Sequence, residues 1–252
     1  MTTSMPGAAP VVSGDPAVRL ADGLNTASIA NLFARFGRVH VAGILEQDCA
    51  LRALMCLANE VPWSLHFNRG DVAHDVSLAE FQAMSNAERA SLLGSIYRQA
   101  TTGFQYLYDS FSLTDEYVAG RHRDLYAMRI LEFLNSPPFL DWARQVTGVP
   151  AITFADAQAT RYRDGQFLTC HDDAIDGKNR VAAYVLNLTP AWHPDWGGIL
   201  NFIDRDGHVA EGYTPSFNAL NLLRVPQPHS VSIVAPFARG ARYSITGWLR
   251  TA

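Results

Sequence analysis

Residues 166–189, QFLTCHDDAIDGKNRVAAYVLNLT, decide how this chain is read. Two runs rich in Val, Leu, Phe, Tyr and Thr flank a polar stretch containing Asp, Gly and Asn, which is strand–turn–strand chemistry. The first run ends on His171-Asp172-Asp173. On a strand, residues i and i+2 point to the same side, so His171 and Asp173 together offer an imidazole and a carboxylate to one ion. Outward from this stretch the texture persists. ITFADAQATRY (152–162), GGILNFID (197–204), HVAEGY (208–213), NALNLLRV (218–225), SVSIVA (230–235) and ARYSITGWL (241–249) are short β-prone runs. About eight such runs in this space predict a sandwich, jelly roll or barrel.

Upstream of Pro150 the pattern is mostly helical from about 27 to 148. ILEQDCALRALMCLANEV (44–61) spaces apolar residues three and four apart, as a one-faced helix requires. SLAEFQAMSNAERASLLGSIYRQA (77–100) reads as two helical pieces, with Ser85 capping the second and Glu88 three residues on. LYAMRILEFLN (125–135) and PFLDWARQVTG (138–148) follow, the latter closed by Gly148. PWSLHFNRGD (62–71) reads as a loop or short hairpin between helices. Residues 1–25, rich in Ala, Gly, Pro, Ser and Thr, predict a mobile N-terminal arm. The expected organisation is therefore α+β: a single domain over 26–252, with a helical buttress (26–150) against a β core (151–252).

Composition narrows the function. Of 252 residues, 48% are hydrophobic, enough for one sizeable core. Net charge is −4 and no Lys/Arg run stands out, so no nucleic-acid partner is expected. No apolar run reaches a membrane-spanning length, and the first residues lack the features of a signal peptide. Three cysteines, Cys49, Cys56 and Cys170, without paired spacing, predict free thiols in a reducing cytoplasm.

Three His-x-Asp triplets compete for the metal reading. His122-Arg123-Asp124 precedes a helix and reads as a solvated helix start. His193-Pro194-Asp195 lies between strand runs and reads as a surface turn. His171-Asp172-Asp173 ends a strand run and has two downstream companions: His229, opening SVSIVA, and Arg242, opening ARYSITGWL. Two His and one carboxylate on one face of an ion is the non-haem Fe(II) oxygenase arrangement. A lone inward Arg is costly without an anionic partner, and its fork of donors suits a carboxylate.

This order of residues resembles the 2-oxoglutarate- and Fe(II)-dependent dioxygenases of the prolyl-hydroxylase branch. YRDGQFLTCHDD, NRVAAYVLNLTPAW…WGGIL and RYSITGW carry the resemblance, over roughly 155–250. CHDD, the Arg180-containing strand, Phe217-Asn218 and SITGW are most similar to the ribosomal-protein prolyl hydroxylases. The resemblance implies a double-stranded β-helix, a jelly-roll or cupin-like barrel. It implies that His171, Asp173 and His229 ligate Fe(II). Arg242, helped by Ser244, would hold the distal carboxylate of 2-oxoglutarate, and Tyr162 would reach the same cosubstrate. Trp248 would pack beside a target proline. Implied cofactors are Fe(II), 2-oxoglutarate and O2, with ascorbate as reductant; implied products are a hydroxylated prolyl residue in a protein or peptide, succinate and CO2. There are departures. The gap from His229 to Arg242 is longer than in several relatives, which keeps Arg239 as a rival clamp, and Val185 stands where some relatives place a second tyrosine. No room is expected for the second barrel-like domain of the larger ribosomal-protein hydroxylases.

Two other readings stay open on sequence: an oxygenase acting on a free amino acid or metabolite, and a non-catalytic metal-binding β-barrel module. The walls of the substrate site are expected in segment 62–75, with Trp63, Phe67, Arg69 and Asp71, and in the loop 174–180.

Overall fold

The computed structural model describes residues 14–252. The elements run α1 (Thr26–Phe36), β1 (Arg38–Ala42), α2 (Gln47–Asn59), β2 (Ser64–Arg69), β3 (Val72–Ser77), α3 (Leu78–Ala83), α4 (Asn86–Ala100) and β4 (Tyr106–Phe111). Then come α5 (Leu113–Val118), α6 (Tyr126–Leu134), α7 (Pro137–Thr147), β5 (Ile152–Ala155), β6 (Gln158–Tyr162), β7 (Phe167–His171) and β8 (Arg180–Leu188). The chain closes with β9 (Leu200–Ile203), β10 (Val209–Tyr213), β11 (Phe217–Arg224), β12 (His229–Val231) and β13 (Arg242–Thr251).

The strands make the expected double-stranded β-helix. One layer has the order β11-β8-β13-β6 and the other β7-β12-β9-β10, with β4 hydrogen-bonded to both β6 and β7. From β6 onward, apart from the β9–β10 hairpin, the chain steps from layer to layer, so residues far apart in sequence face each other across the interior. All named pairings are antiparallel.

β8 shows how one strand serves two cores. Ala182, Tyr184, Leu186 and Leu188 belong to the cluster shared with Phe33, Leu57, Ile130, Leu131, Phe139 and Trp142 of the helices. Ala183 instead joins Tyr106, Tyr108, Tyr162, Leu200, Phe202 and Val231 in the barrel interior. This is strand alternation with helices covering one face. The helices thus buttress one layer and leave the interior to the site.

Helix boundaries follow the sequence signals closely. Ser85 and Glu88 form a reciprocal capping box on α4, and α7 ends on Gly148 in the left-handed region. The segment 62–71 is the β2–β3 hairpin with its turn at Gly70.

The expected helical half carries four strands, and beyond the hairpin its sequence pattern announced neither β1 nor β4. β4, YLYDSF, is buried at every position, so it has no two-residue alternation to read. β1 is five residues long and follows α1 after a single Gly. Both complete the sheet begun by the later strands, so the buttress is not purely helical. Of the expected mobile arm, residues 1–13 lie outside the described residues. Its remainder is tied down: Asp15 pairs with Arg52, Tyr126 Oη donates to Pro16 O, and Leu20 bridges to Leu45. Among the described residues no helix is long and apolar enough to cross a membrane.

Candidate active site

His171 is the last residue of β7 and His229 the first of β12, and the two are direct cross-strand partners. Their ring centroids are 4.1 Å apart. Asp173 lies two residues past the strand end. It reaches the same point through a left-handed backbone (φ 65°), not through strand alternation as the sequence reading assumed. One carboxylate oxygen is 3.4 Å from His171 Nε2 and the other 3.4 Å from His229 Nε2. One donor atom from each residue lies within 4.8 Å of the others.

The tautomers follow from what stands behind the rings. His171 Nδ1 is 3.0 Å from Thr169 O and His229 Nδ1 is 2.8 Å from Gln227 O. Carbonyls only accept, so each Nδ1 carries the proton and each Nε2 presents a lone pair. Two lone pairs and a nearly buried carboxylate converging without a proton between them are repulsive unless a cation sits among them. The donor set, two imidazoles and one carboxylate, fits a divalent ion with open positions. The pKa of His229 is lowered by burial and by His171 beside it. For Asp173 burial pushes the pKa upward, and a proton on Nε2 of His171 or His229, or a cation in its place, holds it below the ordinary value.

Arg242 is the largest fully buried side chain, 2% exposed. Nη1 donates to Gly198 O at 3.0 Å, and the guanidinium lies 5.0 Å over the Tyr162 ring. Nε has no partner and, among the described residues, no carboxylate pairs with the group. Burial pulls its pKa down, the cost of a cation in a dry place without a counter-ion. That orphaned donor set fits an anionic ligand. Gly198 allows this arrangement: a Cβ there would lie 3.7 Å from Arg242 Cδ and 3.2 Å from the Trp192 ring, at φ 62°.

The triad and Arg242 line one cavity of about 440 Å³, the size of a small-molecule site. Its wall includes Phe104, Tyr106, Tyr108, Tyr162, Arg180 and Trp248. Tyr162 is buried at its centre, and burial raises its pKa. Trp248 stacks under Arg180, whose guanidinium carbon is 3.4 Å from the ring centre. Arg180 Nη1 in turn donates to Asp173 O, fixing the turn that carries the carboxylate.

Several expectations fall elsewhere. Ser244 is fully buried, bonds to Thr160 Oγ at 2.9 Å, and does not line the cavity. Arg239 is exposed. His193 and Asp195 are 62% and 78% exposed, and His122 pairs weakly with Glu116 at 3.8 Å. Trp63 and Phe67 sit in other cores; Arg69 and Asp71 flank an exposed turn. Cys170 is exposed. What sequence reasoning missed on segment 62–75 is His66, which does line the cavity. SLHFNR held the signal: with Leu65 and Phe67 facing one core, His66 must face the other side.

Fold and site define a class: a jelly-roll barrel built round a two-histidine, one-carboxylate cluster with a buried cation in the same cavity. Residues 157–250 match the family model of the 2OG-Fe(II) oxygenase superfamily. Among named relatives, the prolyl 3-hydroxylase OGFOD1 of Mus musculus is 31% identical over 145 residues, 55% of this chain and 26% of that protein. Its Xenopus laevis counterpart is 30% identical over 117 residues, 44% of this chain and 22% of that one. This chain therefore spans about a quarter of the length of the curated relatives it matches. Among solved structures, a Trichoplax adhaerens prolyl hydroxylase in complex with a hypoxia-inducible-factor peptide fragment aligns with TM-score 0.59 at 18% identity, covering 90% of this chain and 89% of that one. A Burkholderia pseudomallei 2OG-Fe(II) oxygenase-family oxidoreductase aligns with TM-score 0.55 at 16% identity, covering 92% and 93%. At these identities the structures speak for the fold alone.

Proposed function

We propose that this protein is a 2-oxoglutarate- and Fe(II)-dependent dioxygenase that hydroxylates a prolyl residue in a protein or peptide. The observation that carries the reading is the single cavity shared by His171, Asp173, His229 and the unpaired, buried Arg242. His171 and His229 would hold Fe(II) through Nε2, with Asp173 as the anionic ligand; bound there, Fe(II) supplies oxygen activation coupled to decarboxylation of 2-oxoglutarate. Arg242 would take the distal carboxylate of the cosubstrate in a bidentate pair, stacked on Tyr162. A buried pair of that kind needs both partners, which accounts for an Arg with an empty donor face. Apolar Leu200 and Val231 keep that end dry. Trp248 and Arg180 would flank the residue to be hydroxylated, and Tyr106 and Phe104 would form the facing wall. Support for the prolyl substrate is the likeness to OGFOD1, which covers only part of that protein. Two buried cysteines without a bridge fit a reducing cytoplasm.

The test is succinate release by the full chain with Fe(II), ascorbate and 2-oxoglutarate, with and without proline-centred peptides. The reading expects peptide-stimulated succinate and a gain of one oxygen in peptide mass. Succinate stimulated by free L-proline alone, with no peptide modified, would replace it with the small-molecule reading.

A further inference from the structure

We infer that His66, oriented by Asp75, is a substrate-contacting residue that hydrogen-bonds the peptide main chain next to the target residue. The inference rests on the peptidyl reading above and extends it to a part of the cavity outside the metal and cosubstrate positions.

His66 lies on β2 opposite Asp75 of β3 and Tyr108 of β4. Its Nδ1 is 2.6 Å from Asp75 Oδ1. The carboxylate is the only hydrogen-bonding partner of that ring among the described residues, so Nε2 is left unused. The ring is stacked on Tyr106 at 4.8 Å and 25°, and lies 5.4 Å from Tyr108. With one ring nitrogen bound behind it and one face packed, the imidazole has a fixed orientation. A hydrogen-bonding edge held this way is what recognition of a polar group requires.

Position within the cavity says which group. Arg242, 2% exposed, marks the closed end. Phe104 and Ile175, 50% and 53% exposed, mark the open end. The Phe104 ring lies 5.5 Å from His171 and 5.7 Å from Tyr106, on which His66 stacks. His66's other neighbour, Tyr108, leads through Tyr162 to Arg242, so His66 stands between the metal and cosubstrate positions and touches neither. Two rings, Tyr106 and Phe104, separate His66 from His171, so the chain flanking the target residue, and not the target residue itself, is set against His66. A free amino acid would leave this edge untouched. Main-chain N–H and C=O groups are what every peptide offers at that point, whatever its side chains.

Asp75 acts through His66 and is a positioning residue. It is an exposed carboxylate, 61% exposed, on a hairpin strand, so its replacement leaves the core intact. His74, one residue earlier, stacks on Phe67 on the other face of the hairpin and is the natural control.

The experiment compares the full-length wild-type chain with His66→Phe, Asp75→Asn and His74→Phe, using proline-centred peptides and, separately, free L-proline. His66→Phe keeps the stack on Tyr106 and removes both ring nitrogens. Loss of one main-chain hydrogen bond is expected to raise the peptide KM by about five- to tenfold, with the 2-oxoglutarate KM moved less than about twofold. Asp75→Asn should raise the peptide KM by less, and His74→Phe should change neither constant. An unchanged peptide KM in both His66→Phe and Asp75→Asn, or an equal rise in the cosubstrate KM, overturns the assignment while leaving the peptidyl reading standing. A wild-type chain that oxidises L-proline and no peptide overturns the peptidyl reading and this assignment together.

Discussion

At the scale of single residues, Arg242 is a buried charge with no counter-ion among the described residues. A guanidinium 2% exposed, with an unsatisfied Nε and one carbonyl contact, is stable only if something else supplies a counter-charge. Arg242→Ala should therefore raise the 2-oxoglutarate KM by roughly ten- to a hundredfold, the equivalent of about 1.5–3 kcal/mol for a hydrogen bond to a charged group. Uncoupled turnover as a function of cosubstrate concentration measures it, and an unshifted KM would refute the clamp. Arg242→Lys should recover part of the loss, because a point charge remains but the planar fork does not. Most of this was legible in the sequence, because His171, His229 and Arg242 each stand at a strand terminus that β-prone runs mark. The route taken by Asp173 was not legible, since a left-handed residue after a strand end leaves no periodic trace. Ser244 was misjudged for a related reason. It shares a face with Arg242 along β13, but its hydroxyl is bonded to Thr160, its partner on β6, and it is Thr160 that lines the cavity.

Secondary-structure elements show where local rules hold and where tertiary packing overrides them. The capping box on α4 depends only on four consecutive residues, and it was readable because its chemistry is local. Ser85→Ala should cost about 1 kcal/mol in denaturant unfolding and leave both KM values alone, since α4 lies outside the cavity. The Gly197-Gly198 turn is the contrasting case. A Cβ on Gly197 would meet Ile233 O at 2.0 Å at φ 70°, so Gly197→Ala must push the β8–β9 connection off the segment that follows β12. Gly198 O holds Arg242 Nη1. Two effects are then expected together: a Tm lowered by several degrees, in line with about 1–3 kcal/mol of backbone strain, and a raised 2-oxoglutarate KM. A lowered Tm with an unchanged KM would mean that the carbonyl does not position the clamp. β4 belongs with the unreadable part. YLYDSF is buried on both faces between β2, β6 and β7, and a strand that packs on everything carries no alternation to distinguish it from a helical core segment.

On the scale of the whole molecule, the barrel brings three separate stretches of chain to one cavity: the end of β7 with its turn, the start of β12 and the start of β13. A ligand bound there ties these stretches together in the folded state and in no other, so binding should register as stability of the entire chain. A ligand at a hundredfold excess over its dissociation constant stabilises by about 2.7 kcal/mol. Mn(II), a redox-inert stand-in of similar ligand preference, should raise the Tm of the wild-type chain, and 2-oxoglutarate should raise it further only when the ion is present. The two increments have different owners. His171→Ala should remove both, because the cosubstrate has no ion to chelate. Arg242→Ala should keep the Mn(II) increment and lose most of the second. A thermal melt of the three proteins under four conditions — apo, Mn(II), 2-oxoglutarate, and both — reads this order without any catalytic turnover. Should 2-oxoglutarate stabilise the His171→Ala chain as much as the wild type, the cosubstrate would be held independently of the triad, and the shared-cavity reading would fail at its central point.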